Sequence, residues 1–105
     1  MKTVDEKTVA WMESQGYMVG KVECRNGRIS RDLFGFGDFI AIKGDKTVLV
    51  QCTDHTNFSK RLKKVLASAA LPRVLEAWEV WVIGFRPDED KPRRVRQVEA
   101  GDMPT

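Results

Sequence analysis

The sequence predicts an α/β domain in which helices cover the faces of a mixed sheet. Residues 4–15 and 54–70 show helical periodicity, whereas apolar, β-branched runs lie between and after them. Two amphipathic helices and four apolar strands bury their apolar faces most simply when the helices pack on a sheet. The 105 residues correspond to a single domain, 1–105, with a core at about 3–85, because a second core of useful size would not fit.

The first helix is predicted from its capping residues. Thr3 and Glu6 have the spacing of a capping box, in which each side chain accepts a hydrogen bond from the other residue's backbone N–H. The helix is expected to end near Gln15, where Gly16 provides a C-terminal stop. Residues 17–23 are then predicted to form a strand and 24–37 a loop.

A β-hairpin is predicted over residues 37–53, and the other elements are arranged around it. Two apolar, β-branched runs flank a Gly44-Asp45-Lys46 turn signal. In an antiparallel pair the start of the first strand lies beside the end of the second, and residues two apart on a strand share a face. Asp38, Gln51 and Thr53 are therefore expected to meet.

The second half of the chain returns from helix to strand. Apolar residues of the 54–70 helix lie on one face, and Pro72 is predicted to interrupt that helix or to start a short second one over 72–77. The nearly continuous apolar run at 79–85 is typical of an inner strand buried on both faces. A charged loop at 86–93 precedes a possible edge strand at 95–100.

The charge distribution favours an acidic partner such as nucleic acid. The net charge of +3 is modest, but its basic residues are clustered. The three clusters are Lys60, Arg61, Lys63 and Lys64; Lys91, Arg93, Arg94 and Arg96; and Arg25, Arg28 and Arg31. The alternative is that these charges form solvated faces, as charge runs usually do.

Neither a membrane segment nor a metal-binding cysteine set is predicted. No apolar run approaches the ~20 residues that span a bilayer, and the N-terminus lacks the layout of a signal peptide, so a cytoplasmic location is expected. Two cysteines, Cys24 and Cys52, are too few for a structural zinc site or a disulfide framework.

The order helix, three strands, helix, strand, with Asp38 at the start of the second strand and Gln51 and Thr53 on the third, resembles the PD-(D/E)XK nuclease superfamily. This superfamily includes restriction endonucleases and archaeal Holliday-junction resolvases. The stretches 32–38 and 50–53 also look like those of small phage and bacterial proteins of this fold. The resemblance implies a restriction-endonuclease-like α-β-β-β-α-β core, a mixed sheet flanked by helices.

The resemblance also implies a magnesium or manganese site for phosphodiester hydrolysis in DNA, including structured or junction DNA. Asp38 matches the family aspartate, Gln51 stands where a second acid is expected, and Thr53 stands where a lysine is expected. Glu6, or its neighbour Asp5, corresponds to an acid on the first helix, although the capping box also accounts for Glu6.

Because Thr53 carries no charge, another cation must take the place of the lysine. Lys60 on the second helix is the first candidate, followed by Lys43 and Arg31. The residues expected to hold the phosphate backbone are Arg31, Lys60, Arg61, Lys63, Lys64, Arg93 and Arg94. A homodimer is expected if the protein cuts both strands or resolves a junction.

The substitutions at Gln51 and Thr53 motivate a second hypothesis. Without the acid and the lysine, the domain would keep the fold, lose catalysis and bind DNA or a protein partner. Metal binding separates these two hypotheses, because only the enzyme needs a cation.

Overall fold

The computed structural model describes residues 2–22, 24–26 and 29–103, with the side chains of 24–26 and 29–31 left aside. A five-stranded mixed sheet forms the centre, and helices cover both of its faces. The helices are α1 (Val4–Ser14), α2 (Phe58–Leu66) and α3 (Leu71–Ala77). The strands are β1 (Met18–Lys21), β2 (Cys24–Asn26), β3 (Ile29–Arg31), β4 (Phe39–Lys43), β5 (Lys46–Asp54), β6 (Glu79–Phe85) and β7 (Arg94–Val98). The predicted α/β class is confirmed.

The strand order β1-β4-β5-β6-β7 places β5 and β6 in the interior of the sheet. Strands β1, β4 and β5 pair antiparallel, β5 and β6 pair parallel, and β7 pairs antiparallel with β6. A parallel pair needs a crossover, which α2 and α3 provide. The predictions of an inner strand at 79–85 and of an edge strand after the charged loop are both confirmed.

The two faces of the sheet bury separate apolar clusters because side chains alternate along β5. Val48, Val50 and Cys52 belong to the cluster under α1, which includes Met12. Leu49 belongs to the cluster under α2 and α3, which includes Phe58. Gln51 and Thr53 have the parity of Leu49 and therefore lie on the α2 face.

The capping box of α1 forms as predicted. The Thr3 hydroxyl accepts from Glu6 N at 3.1 Å, and Glu6 Oε1 accepts from Thr3 N at 3.1 Å. These bonds satisfy two backbone donors that the helix itself leaves without partners.

Two predictions about local structure are wrong. Residues 24–37, predicted as a loop, contain a second, two-stranded antiparallel sheet made by β2 and β3. The second helix begins at Phe58 and not at Asp54, because the Asp54 side chain accepts from Thr56 N at 2.8 Å and caps a 3₁₀ turn, His55–Asn57. Asx turns of this kind compete with regular helix.

None of the helices in the described part of the chain is long and apolar enough to cross a membrane.

Candidate functional site

The polar residues that the sequence singled out lie at the carboxyl end of β5, the strand that pairs parallel with β6. Asp38 comes directly before β4, and its backbone N–H donates to Val50 O at 2.8 Å. Val22 N in turn donates to Asp38 O at 3.0 Å. The Asp38 main chain is thus fixed on both sides, and its side chain lies beside the end of β5.

Asp38 and Gln51 form a buried hydrogen-bonded pair, which confirms that the hairpin brings them together. Gln51 Nε2 donates to Asp38 Oδ2 at 2.7 Å and to the Cys52 main-chain oxygen at 3.1 Å. Cys52 N donates to the same Asp38 oxygen at 3.1 Å. Both side chains are nearly inaccessible, at 7% and 3% exposure, so the carboxylate is stabilised by donors in place of water.

The other end of the Gln51 amide has no partner among the described residues. Gln51 Oε1 is fully buried and accepts no hydrogen bond. A buried carbonyl oxygen without a donor is unfavourable by about 1–3 kcal/mol. The site therefore contains one buried oxygen atom, Gln51 Oε1, that accepts no hydrogen bond from the described residues.

Thr53 lies on the same face as Gln51 but does not join this pair through a hydrogen bond in the described structure. Its hydroxyl donates to the main-chain oxygen of Asp54 at 3.2 Å, and the residue is 6% exposed. Of the three residues predicted to meet, Asp38 and Gln51 form a close pair, and Thr53 lies two residues further along β5.

The acid of α1 that reaches the site is Asp5. Cys52 Sγ lies 3.5 Å from Asp5 Oδ1 and 3.6 Å from Asp38 Oδ2, so the thiol bridges the two carboxylates. Burial raises the pKa of the Cys52 thiol far above its usual range, and the two carboxylates raise it further. This thiol therefore stays protonated and acts as a hydrogen-bond donor.

Glu6 remains at the helix cap. Its carboxylate accepts from the backbone N–H of Thr3, and that bond is the main reason that its pKa is lowered. The sequence offered both acids of α1 as candidates, and the contact with Cys52 distinguishes them. The role of Glu6 as a metal ligand stays a prediction.

Lys60 lies on a basic recess away from the Asp38 pair. Phe58 packs into the core, and Lys60 follows it by two residues, a rotation of about 200° around the helix, so Lys60 faces away from the sheet. A recess of about 330 Å³ is lined by Asn57, Lys60, Arg61 and Lys64. Within it Lys64 Nζ pairs with Asp32 Oδ2 at 3.1 Å. The structure thus groups three of the predicted phosphate contacts, Lys60, Arg61 and Lys64. No hydrogen bond joins Lys60 to Thr53 among the described residues, and the role of Lys60 as the replacement cation stays a prediction.

The remaining predicted contacts are spread over two elements. Lys63 is exposed on α2, and Arg93, also exposed, donates its backbone N–H to Gly84 O at 2.7 Å. The Arg94 guanidinium lies over the Phe58 ring, 4.2 Å from its centroid. The side chain of Arg31 lies outside the described part of the structure.

The sequence interpretation missed a buried lysine at this edge. Lys7 is 3% exposed, and its Nζ donates to the main-chain oxygens of Arg86 at 2.9 Å and Pro87 at 3.1 Å. It fastens α1 to the loop after β6. The available signal was its spacing, three residues after Val4 and four before Trp11, on the apolar face of the helix.

The donor set restricts which cation could bind. In the described ranges, no three His, Cys, Asp or Glu side chains lie close enough together to hold a metal ion. Any cation at Asp38 would therefore need neutral oxygens as further ligands. Two oxygens, Asp38 Oδ2 and Cys52 O, both accept hydrogen bonds from Gln51 Nε2, and this nitrogen occupies the position between them.

Comparison of the chain with protein-family models and with curated proteins gives no match.

Proposed function

We propose that this chain is a small metal-dependent nuclease that hydrolyses phosphodiester bonds in DNA. The observation that carries the proposal is the convergence of Asp38 Oδ2 and Cys52 O on the Gln51 amide group, near the carboxyl end of β5, which pairs parallel with β6. Ligands of open α/β sheets commonly bind at such ends. The resemblance of Asp38, Gln51 and Thr53 to the PD-(D/E)XK pattern supports the same reading.

The residues present fit a weakly held magnesium or manganese ion. Mg²⁺ prefers oxygen ligands and commonly takes one or two carboxylates from the protein together with substrate phosphates. Asp38 would supply the carboxylate, and Gln51 and Cys52 would supply an amide and a main-chain oxygen. The oxygen and nitrogen of an amide exchange places when the group turns over. In Gln51 this exchange would bring Oε1, which now accepts no hydrogen bond, beside Asp38 Oδ2, where both oxygens would face one cation.

The ion, when bound, would polarise a phosphate oxygen and activate water for attack on phosphorus. Asp38 orients the site through its fixed main chain and its contacts with Gln51 and Cys52. Burial of the pair keeps bulk water from competing for these oxygens.

The basic recess on α2 supports DNA as the partner. Lys60 and Arg61 form no ion pair with a described carboxylate, so their charges are available to backbone phosphates. Contacts of this kind carry no sequence information and weaken with salt. A homodimer and a cytoplasmic location remain predictions that accompany this proposal.

A second candidate function is a nuclease-like domain that binds DNA or a protein partner without cleavage. The bond from Gln51 Nε2 to Asp38 Oδ2 favours it, because a carboxylate stabilised by two N–H donors needs no cation. The absence of a charged group at Thr53 points the same way.

Metal titration and cleavage assays with Asp38→Asn test the proposal. We expect the unmodified protein to bind Mn²⁺ in calorimetry and to cleave DNA when Mn²⁺ or Mg²⁺ is present, and we expect Asp38→Asn to lose both properties. Asp45→Asn is the matched control, because Asp45 is exposed in the turn at the opposite end of the hairpin.

Cleavage that persists in Asp38→Asn would refute the site assignment. Binding of DNA that needs no metal, with no cleavage by the unmodified protein, would establish the second candidate.

A further inference from the structure

Thr53, Gly84 and Arg94 form one row across three neighbouring strands. Thr53 is the register partner of Gly84 in the parallel pair, and Gly84 is the partner of Arg94 in the antiparallel pair. Directly opposite residues of paired strands project from the same face of a sheet. With strands about 4.8 Å apart, the Cα atoms of Thr53 and Arg94 are separated by about 10 Å.

The Phe58 ring fills the gap that Gly84 leaves in this row. A Cβ atom on Gly84 would come within 2.8 Å of Phe58 Cδ2, so only glycine allows the ring to lie there. Phe58 is 1% exposed, which holds the ring in a fixed position. The ring therefore forms a rigid floor between Thr53 and Arg94.

Arg94 lies on that floor and has its donors available. Its guanidinium carbon is 4.2 Å from the Phe58 centroid, a cation–π distance, while the residue remains exposed to solvent. Contact with the ring restrains the guanidinium but uses none of its N–H groups as hydrogen-bond donors, so they can still bind a phosphate. No described carboxylate forms an ion pair with Arg94.

The neighbouring cations are differently placed. Arg96, in the row of Gln51 and Val82, donates to Asp102 Oδ1 at 2.8 Å and is thereby neutralised. Lys60 faces away from the sheet, on the α2 recess. Of these three, Arg94 alone combines a fixed position on the Thr53 side of the sheet with an unpaired charge.

We infer that Arg94, stacked on Phe58, is the phosphate-binding cation of the site and provides the positive charge that Thr53 lacks. The ligand is a nucleic-acid phosphodiester, and the inference takes that ligand class from the proposed function. Gly84 and Phe58 are positioning residues, since they act through the orientation of the guanidinium.

The inference is tested by DNA binding in the presence of EDTA over a range of salt concentrations. Removing a charge-assisted contact in Arg94→Met should weaken binding about tenfold. It should also make the slope of log K against log salt concentration less steep, by the amount expected for the loss of about one phosphate contact. Arg94→Lys keeps the charge but loses the planar stack, so it should keep the slope and recover only part of the affinity.

Lys91→Met is the matched control, because it removes one exposed positive charge from the same basic segment. It should change affinity by less than about twofold, as expected for a solvated surface charge. An equal loss in Lys91→Met and Arg94→Met would show a general effect of net charge and would overturn the inference.

The EDTA assay separates this inference from the proposed nuclease activity. If the unmodified protein binds DNA but never cleaves it with Mn²⁺, the proposed function fails while the Arg94 result stands. If the unmodified protein cleaves DNA and Arg94→Met binds and cleaves equally well, the inference fails alone. An unmodified protein that binds no DNA at low salt overturns both.

Discussion

Replacing Gln51 by glutamate exchanges the amide that holds Asp38 for a second carboxylate. In the present structure Gln51 Nε2 lies 2.7 Å from Asp38 Oδ2, so the exchange places two acidic groups in a buried contact. Two adjacent carboxylates cannot both ionise easily, and the pair instead retains one proton. We therefore expect the carboxyl group introduced by Gln51→Glu to have a pKa above the ordinary value of glutamate.

The loss of folding stability in Gln51→Glu at pH 7 has an upper bound. Keeping a glutamate of ordinary pKa ~4.3 protonated at pH 7 costs about 3.7 kcal/mol. Because the folded-state pKa is raised, the native state binds more protons than the unfolded state, and stability falls as the pH rises from about 4 to 7. At pH 4 and below, Gln51→Glu should be nearly as stable as the unmodified protein.

A divalent cation should reverse this loss. The second carboxylate completes the set of metal ligands that the resemblance implies. A cation present at 100 times its Kd would stabilise the folded state by about 2.7 kcal/mol. Urea unfolding at pH 4 and pH 7, with and without Mn²⁺, measures both effects. Gln97→Glu, on the exposed strand β7, is the control and should respond to neither variable.

A stability of Gln51→Glu that does not change with pH would refute the buried contact between residues 38 and 51. A loss at pH 7 that Mn²⁺ does not restore would keep the contact but contradict the cation site.

Two further predictions concern stability and reactivity. In Gly37→Ala the new Cβ would lie 2.7 Å from Leu49 Cγ, so urea unfolding should reveal a loss of stability of about 1–3 kcal/mol. Gly20→Ala should be neutral, because apart from the adjoining residues no described atom lies within 4 Å of its new Cβ, and equal effects of the two changes would contradict the packing. In a Cys24→Ser background, the buried Cys52 thiol, with its raised pKa, should react with a thiol reagent only as fast as the chain unfolds, and rapid labelling of the folded protein would contradict its burial.

The hairpin and the Asp38–Gln51 contact were predictable because both depend on short-range rules. Strand alternation and a tight turn determine which residues of 37–53 are opposite one another. The capping box of α1 was predictable for the same reason, since it involves residues three apart. In each case the partners are close in sequence.

The misjudged features depend on partners distant in sequence. Lys7 is buried because the carbonyl groups of Arg86 and Pro87 accept hydrogen bonds from its ammonium group. The residues near Lys7 in the sequence do not indicate these two partners. The contact of Asp5 with Cys52 likewise depends on how α1 crosses the sheet. The hairpin of β2 and β3 was overlooked because its strands are only three residues long.

The sequence by itself determined the α/β class, the order of the helices and of the main-sheet strands, and the pairing of Asp38 with Gln51, since periodicity and turn residues act over a few positions. Only the tertiary structure decided where the cations lie relative to the sheet. Arg94 shares a row with Thr53 because both are register partners of Gly84, and Lys60 faces outward because Phe58 takes the inward position on α2. Charge positions of this kind are set by packing between distant segments, which residue spacing does not encode.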